Sequence, residues 1–556
     1  MSLQADWIFT DLTLWSGGPE PAPDTPSPTS TGNAALALKD GCVLALGDPD
    51  RVLEHRGSDT AVVSLGGRFV MPGLVDAHVH LLTAGVRMFR VDLRGVRSRQ
   101  EFVQRIADRT RITPPGRWIL GGDWNQEEWG GAFPSRAWLD AHTPDHPVFL
   151  QRVDLHLGVA NSRALELAGI AAETPDPVNG RIDRDPETGE PTGILRERAM
   201  LPVYDVIPEL TDEDCVAALR GSALEALRHG ITQVHDMGAV QKLSESWQAL
   251  RVLRSLDAQG RLPLRVTSAL PIRHWRSAAE LVRTEGRGSG RVRWGPVKAF
   301  IDGSFGSSTA WFHEPYLHDP GSHGGPVVDL EELREQITGA VAAGLQPTIH
   351  SIGDRANDWL VELMGTLDRE YPEAASRIRI EHAQHLSEEA LEEIGRSERI
   401  VSVQPSHILD DAPWIPMRLG SERGRRSYAF RSLAEGGARL ALGTDWPVAP
   451  LDPITTIWCA VTRRLPEGPG EGGGGVWNPQ ERMELDAVLR AHTWGGAIAA
   501  GTEDHTGSLE PGKAADFIVL SSNPFEMDPE RFPYELRVDL TYVDGVLAYR
   551  RDDSGE

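Results

Sequence analysis

His78 and His80 stand one residue apart at the end of an apolar run, in the stretch MPGLVDAHVHLL. Side chains alternate along a strand, so positions i and i+2 share a face. A His-x-His at a strand end therefore aims two imidazole nitrogens at one point, which is the geometry of a metal site. By itself the pair is also explained as two solvated loop residues in a chain with 18 histidines. Further polar residues close other apolar runs: Lys298 in VKAFIDG, His350 in PTIHS, His382 in RIEHAQ and Asp445 in GTDWP. Taken singly, His350 reads as a helix cap and Asp445 as a turn residue. At successive strand ends they read together as one cup of nitrogen and carboxylate ligands.

Lys298 poses a chemical problem in such a cup. An ammonium cannot ligate a cation, and burying it beside one is unfavourable. A desolvated lysine that loses its proton can instead react with carbon dioxide, giving a carbamate with two oxygens able to bridge two cations. The alternative is an ion pair with Asp302, four residues on.

The elements that would position these residues alternate between strand and helix. GLVDAHVHL is followed by the helical SRQEFVQRIADRT, and CVAALRGSALEALRHG by the strand ITQVHDMG. LPLRVTSAL, VRWGPVKAFIDG, QPTIHS, RIRIEHAQ, IVSVQPSH and RLALGTDWP read as further strands, with helical patterns such as DLEELREQITGAVAAG between them. Taking His78, Asp236, Ser268, Lys298, His350, His382, Gln404 and Asp445 as strand-end markers gives eight β/α units. The fold expected is therefore α/β, a TIM (β/α)8 barrel, whose strand C-termini converge on one catalytic face. Residues of about 113–210 interrupt the alternation and are expected to form an insertion over the barrel mouth. Short β-like runs over 1–69 and 505–556 suggest one small β-sandwich built from both termini around the barrel at 70–504. Gly17–Asn33, rich in Pro, Ser, Thr and Gly, reads as a flexible loop.

Bulk properties narrow the function. The 556 residues are 40% hydrophobic, with 57 Gly and 39 Pro, as a globular chain with many loops would be. A net charge of −25 argues against nucleic-acid or anionic-membrane partners. No apolar run approaches the roughly 18 residues of a membrane span, and MSLQADWIFT lacks the pattern of a signal peptide, so a cytoplasmic location is expected. Cys42, Cys215 and Cys459 are too scattered for a disulfide framework or a zinc finger.

The series MPGLVDAHVHL, VKAFIDGSFGSSTAWFHEPY, PTIHSIGDRAND, RIEHAQHL, SVQPSH, LGTDWPVAPLDP and GSLEPGKAADFIVL, together with ANSRAL and GEPTGILRE, resembles the metal-dependent amidohydrolase superfamily. It is most similar to the YtcJ-like branch, which includes N-substituted formamide deformylases. The resemblance implies a barrel beside a β-sandwich and a site for one or two divalent cations, usually zinc. By the same resemblance His78, His80 and Asp445 hold one cation, His350 and His382 the second, and carboxylated Lys298 bridges them.

A metal site of this kind lowers the pKa of water from 15.7 to about 7, and Asp445 is placed to move the proton. The reaction expected is hydrolysis of a C–N amide-type bond, in an amide or a formamide, of a small molecule. A cyclic amide, carbamate or ester is a second reading, and a catalytically idle metal-containing binding protein a third. Substrate contacts are expected from Trp124, Trp129, His156, Trp311 and His407, although most of the 16 tryptophans should serve packing. Homo-oligomerisation is left open.

Overall fold

The computed structural model describes residues 3–19, 34–153, 156–239, 243–466 and 474–552. From residue 20 onward, the loop expected at Gly17–Asn33 lies outside the described residues. The chain divides into two compact units, Met1–Thr83 with Leu219–Glu556, and Ala84–Ala218.

The first unit contains the eight parallel strands of the barrel. In order they are Leu74–Val79, Ile231–Asp236, Arg265–Pro271, Val292–Phe300, Gln346–Ser351, Arg379–His382, Ile400–Val403 and Arg439–Leu442. Each pairs in parallel with the next. The barrel is nearly closed: just beyond the last strand, Trp446 forms an isolated parallel bridge with Val79 of the first. Asp445 N–H donates to His78 O, and His80 N–H to Trp446 O, each at 2.8 Å. Closure is thus made by the two motifs, HVH and GTDWP, that carry the candidate ligands. The strands are buried nearly throughout, as expected of a parallel sheet covered on both faces.

Helices between the strands follow their sequence signals. Asp329 caps Leu330–Ala342, its carboxylate accepting from Glu331 and Glu332 N–H, and Ser387 caps Glu388–Arg396 in the same way through Ala390 N–H. One expected helix belongs elsewhere. Arg99–Ile112 lies in the second unit, where Phe102 and Ile106 are core residues. The first barrel strand is followed instead by the short helix Leu81–Met88. An amphipathic pattern records that one face is buried but not against which sheet.

The terminal segments meet in one sheet system of order Val546–Arg550, Val538–Val543, Phe517–Leu520, Phe69–Pro72, Trp7–Leu14, Ala34–Lys39 and Cys42–Gly47, with Ala61–Ser64 also paired to Trp7–Leu14. Phe9, Leu36, Phe517, Val519 and Tyr542 share its core. Asp544 and Gly545 turn the last hairpin with φ of 51° and 69°, the left-handed region that Asp-Gly suits.

The second unit, Ala84–Ala218, is wider at both ends than the 113–210 segment expected from sequence. It holds a six-stranded sheet running from Gly180–Arg184 through Pro191–Glu197, Leu157–Ala160, Val148–Arg152 and Ile119–Trp124 to Val91–Asp92. Among the described residues no helix is long and apolar enough to cross a membrane.

Candidate metal centre

His78 is the fifth residue of the first barrel strand, and His80 follows the strand end. Asp76, two residues before His78, accepts from His78 N–H at 3.1 Å, from Thr444 N–H at 3.0 Å and from Thr444 Oγ1 at 2.7 Å. This buried carboxylate, raised to about 6 by desolvation, ties the HVH stretch to GTDWP. Gly443 allows the approach, since a Cβ there would stand 2.7 Å from His78 N. Asp445 has φ 61° and His382 φ 77°, left-handed conformations that cost energy in residues other than glycine and cluster at functional sites.

Each candidate histidine has one ring nitrogen committed. His78 Nδ1 lies 2.7 Å from Glu381 Oε2, His80 Nδ1 2.7 Å from Gly238 O, and His382 Nδ1 2.8 Å from Gln404 Oε1. These partners are oxygen acceptors, so the ring N–H donates at Nδ1 and the lone pair remains on Nε2. His350 has the reverse arrangement. Its Nε2 faces Gly303 O at 3.1 Å, which leaves Nδ1 bare.

The bare nitrogens of His78, His80 and His382 gather about a carboxylate. Asp445 Oδ1 stands 3.6 Å from His78 Nε2 and 3.5 Å from His80 Nε2. Ligand atoms of His78, His382 and Asp445 all lie within 4.8 Å of one another. The His382 ring lies 4.8 Å, centre to centre, from that of His78 and 4.5 Å from that of His350. Burial pushes all four imidazoles down, His80 to about 4 and His350 to about 3, so they are neutral near pH 7. Lys298 Nζ and Asp445 Oδ1 are buried without a hydrogen-bond partner. Burial lowers the pKa of Lys298 and raises that of Asp445, each toward its neutral form. A cup of neutral imidazoles, an unpartnered carboxylate and an unpartnered amine is a donor set that a divalent cation satisfies.

The ion pair weighed for Lys298 and Asp302 does not form. Asp302 accepts from the main-chain N–H groups of Trp311, Ile352 and Gly353, and Lys298 Nζ has no hydrogen bond. Asp302 instead pins the loops after the fourth and fifth strands around His350, whose Nε2 is 3.8 Å away.

The residues expected to contact substrate are placed differently from one another. His407 is buried at the centre, its Nε2 3.9 Å from Asp445 Oδ2 and its ring stacked on His382 at 6.4 Å. Trp311 is half-buried in the loop pinned by Asp302, with the Arg355 guanidinium 4.7 Å over its ring. Trp124, Trp129 and His156 belong to the second unit. Trp124 is fully buried in that unit's core and donates its indole N–H to Leu150 O, so it offers no face to a ligand. Trp129 packs on Phe102 and donates to Ala132 O, while His156 is exposed beside Glu197 at 3.0 Å. The indole signal was ambiguous because loop-flanked tryptophans also fill cores. Sequence reasoning missed Asp76, Glu381 and the carbonyls of Gly238 and Gly303. Asp76 lies at i−2 from His78 and Glu381 directly precedes His382, a spacing that would have flagged both.

The chain is similar to known proteins in sequence and in fold. The amidohydrolase family pattern matches residues 61–549. The chain is 39% identical to the protein LONG AFTER FAR-RED 3 of Arabidopsis thaliana, over 93% of this chain and 88% of that one. It is 30% identical to the putative amidohydrolase YtcJ of Bacillus subtilis, over 93% and 96% of the two chains. It is 28% identical to the N-substituted formamide deformylase of Arthrobacter pascens, over 94% and 95%. Among solved structures, an uncharacterized metal-dependent hydrolase from Pyrococcus horikoshii superposes with a TM-score of 0.75 at 31% identity, covering 95% of this chain and 99% of that one.

Proposed function

Because the chain belongs to the amidohydrolase family, we propose that it is a metal-dependent hydrolase cleaving the C–N bond of a small amide or formamide with activated water. The observation that carries this reading is Asp445, a buried carboxylate whose Oδ1 has no hydrogen-bond partner and faces two bare imidazole nitrogens at 3.5 and 3.6 Å. A divalent cation held there, of which zinc best suits nitrogen and carboxylate donors, would supply Lewis acidity for a bound water and for the substrate carbonyl.

The chain's own residues do the rest. His78, His80, His350 and His382 would hold the cation or cations, each oriented by the acceptor on its other nitrogen. Asp445 takes a proton from the attacking water and returns it to the departing amine nitrogen. Burial favours the protonated form of Asp445, so the carboxyl gains the proton at little cost. His407, with Nε2 unpartnered and 3.9 Å from Asp445 Oδ2, is placed to hydrogen-bond the substrate beside the scissile bond.

Lys298 fits a carbamate. Its neutral amine would form an N–C bond to carbon dioxide and release one proton. That gives a carboxylate where the neutral imidazoles leave cationic charge unbalanced. The formamide class is drawn from the similarity to the deformylase.

The test is a hydrolysis screen of the zinc-loaded chain against N-substituted formamides, linear amides, cyclic amides, carbamates and esters, with Asp445→Asn beside it. Turnover of formamides or linear amides that falls at least about a hundredfold in the variant supports the proposal. Turnover confined to cyclic amides, carbamates or esters would displace the substrate class. Binding without turnover across the panel would favour an idle binding protein.

A further inference from the structure

Behind His78 lies a buried pair of opposite charges, Arg379 and Glu381, of which the reaction above uses only one carboxylate oxygen. Arg379 and Glu381 alternate along the sixth barrel strand, so their side chains share its inward face. Both are completely buried. Strand alternation would send His382 to the opposite face. Its left-handed φ of 77° breaks the alternation and brings its ring within 4.8 Å of the His78 ring.

Glu381 Oε2 accepts from His78 Nδ1 at 2.7 Å. Arg379 Nε stands 3.0 Å from Glu381 Oε1, and Nη2 3.3 Å from Oε2. The same guanidinium donates from Nη2 to Ala77 O on the first strand, and from Nη1 it lies 2.8 Å from His235 Nδ1 on the second. One cation thus spans three strands and grips both the carboxylate and the peptide just before His78. A lone buried carboxylate is expensive, and a charge partner with further hydrogen bonds offsets that cost. A pair that closes packing only would not need an oxygen aimed at the rear nitrogen of a ligand imidazole.

We propose that Glu381 is a positioning residue for His78. It keeps the ring proton on Nδ1 and the Nε2 lone pair facing Asp445, and Arg379 fixes the carboxylate and balances its charge. The inference rests on the metal-site reading above.

The experiment measures zinc affinity of the full chain by chelator competition, with melting temperatures of metal-free and zinc-loaded protein alongside. Glu381→Gln keeps the shape and an acceptor oxygen but loses the charge, and Glu381→Ala removes both. The Gln variant should bind zinc about tenfold to a hundredfold more weakly. Its zinc-induced rise in melting temperature should shrink, whereas a purely structural role would lower both melting temperatures equally. In a His78→Ala background Glu381→Gln should change zinc affinity by no more than about twofold, because its route to the metal is gone. If the Ala variant does not fold, the Gln variant and the double variant carry the test. Parent-like zinc affinity in Glu381→Gln would overturn the inference while leaving the metal site standing, as would an equal loss in the His78→Ala background. A parent chain that binds no divalent cation would overturn the metal reading and this inference with it.

Discussion

At the scale of single residues, the centre is defined by which nitrogen of each imidazole is already occupied. Three rings are held at Nδ1 and one, His350, at Nε2, leaving the opposite nitrogen bare in every case. The ring types were legible in the sequence. Their tautomers were not, because the acceptors are main-chain carbonyls and side chains as far as 303 positions away, as with His78 and Glu381. Lys298 follows the same pattern: its type and strand were readable, but only the fold shows that Asp302 is taken by three main-chain N–H groups. If Lys298 carries a carbamate, Lys298→Ala should lose cation and turnover together, and added short-chain carboxylate should restore part of both. Two bound cations and full turnover in that variant would rule the carbamate out. His407→Ala should raise KM or lower kcat by about tenfold or more with cation content unchanged, as metal analysis beside steady-state kinetics would show. Loss of metal would instead make His407 a ligand.

At the scale of elements, the barrel was legible because each strand is a short apolar run ending in a chemically active residue. The offset of that residue from the strand end was not. Lys298 lies two residues inside its strand, and Asp445 lies three beyond the last residue of its own. The helix at Arg99–Ile112 was legible as a helix and misplaced as a barrel element, since periodicity reports a buried face without naming its partner. Glycines give two contrasting tests. A Cβ on Gly443 would stand 2.7 Å from His78 N and 2.9 Å from Asp76 Oδ1, so Gly443→Ala should cost about 1–3 kcal/mol by denaturant titration and reduce metal binding. Gly365 sits inside the helix Asp354–Glu370 with nothing within 4 Å of the position a Cβ would take. Gly365→Ala should stabilise by about 0.5–1 kcal/mol and leave activity untouched. Reversal of that order would mean that the HVH–GTDWP closure does not set the site.

At the scale of the whole molecule, the first unit joins the two ends of the chain around the barrel. Arg265, in the third barrel strand, pairs with Asp516 at 2.5 Å and with Asp544, and Asp544 also takes Arg291 at 2.8 Å. Arg265→Met would strand the buried Asp516 and should destabilise by about 3 kcal/mol, read as a lower melting temperature with kcat preserved at moderate temperature. The meeting of the terminal segments was legible from their shared β texture and turn signals, whereas the ion cluster depends on residues 251 and 279 positions apart and was not. The proposed cation site depends on the meeting of HVH and GTDWP at the barrel seam, and elemental analysis of carefully desalted protein tests that directly. About one to two equivalents of divalent metal in the parent, and less than about a tenth of that in a His78→Ala/Asp445→Ala double variant of unchanged fold, is the result expected. Equal metal in both proteins, or none in a parent supplied with zinc, would contradict it.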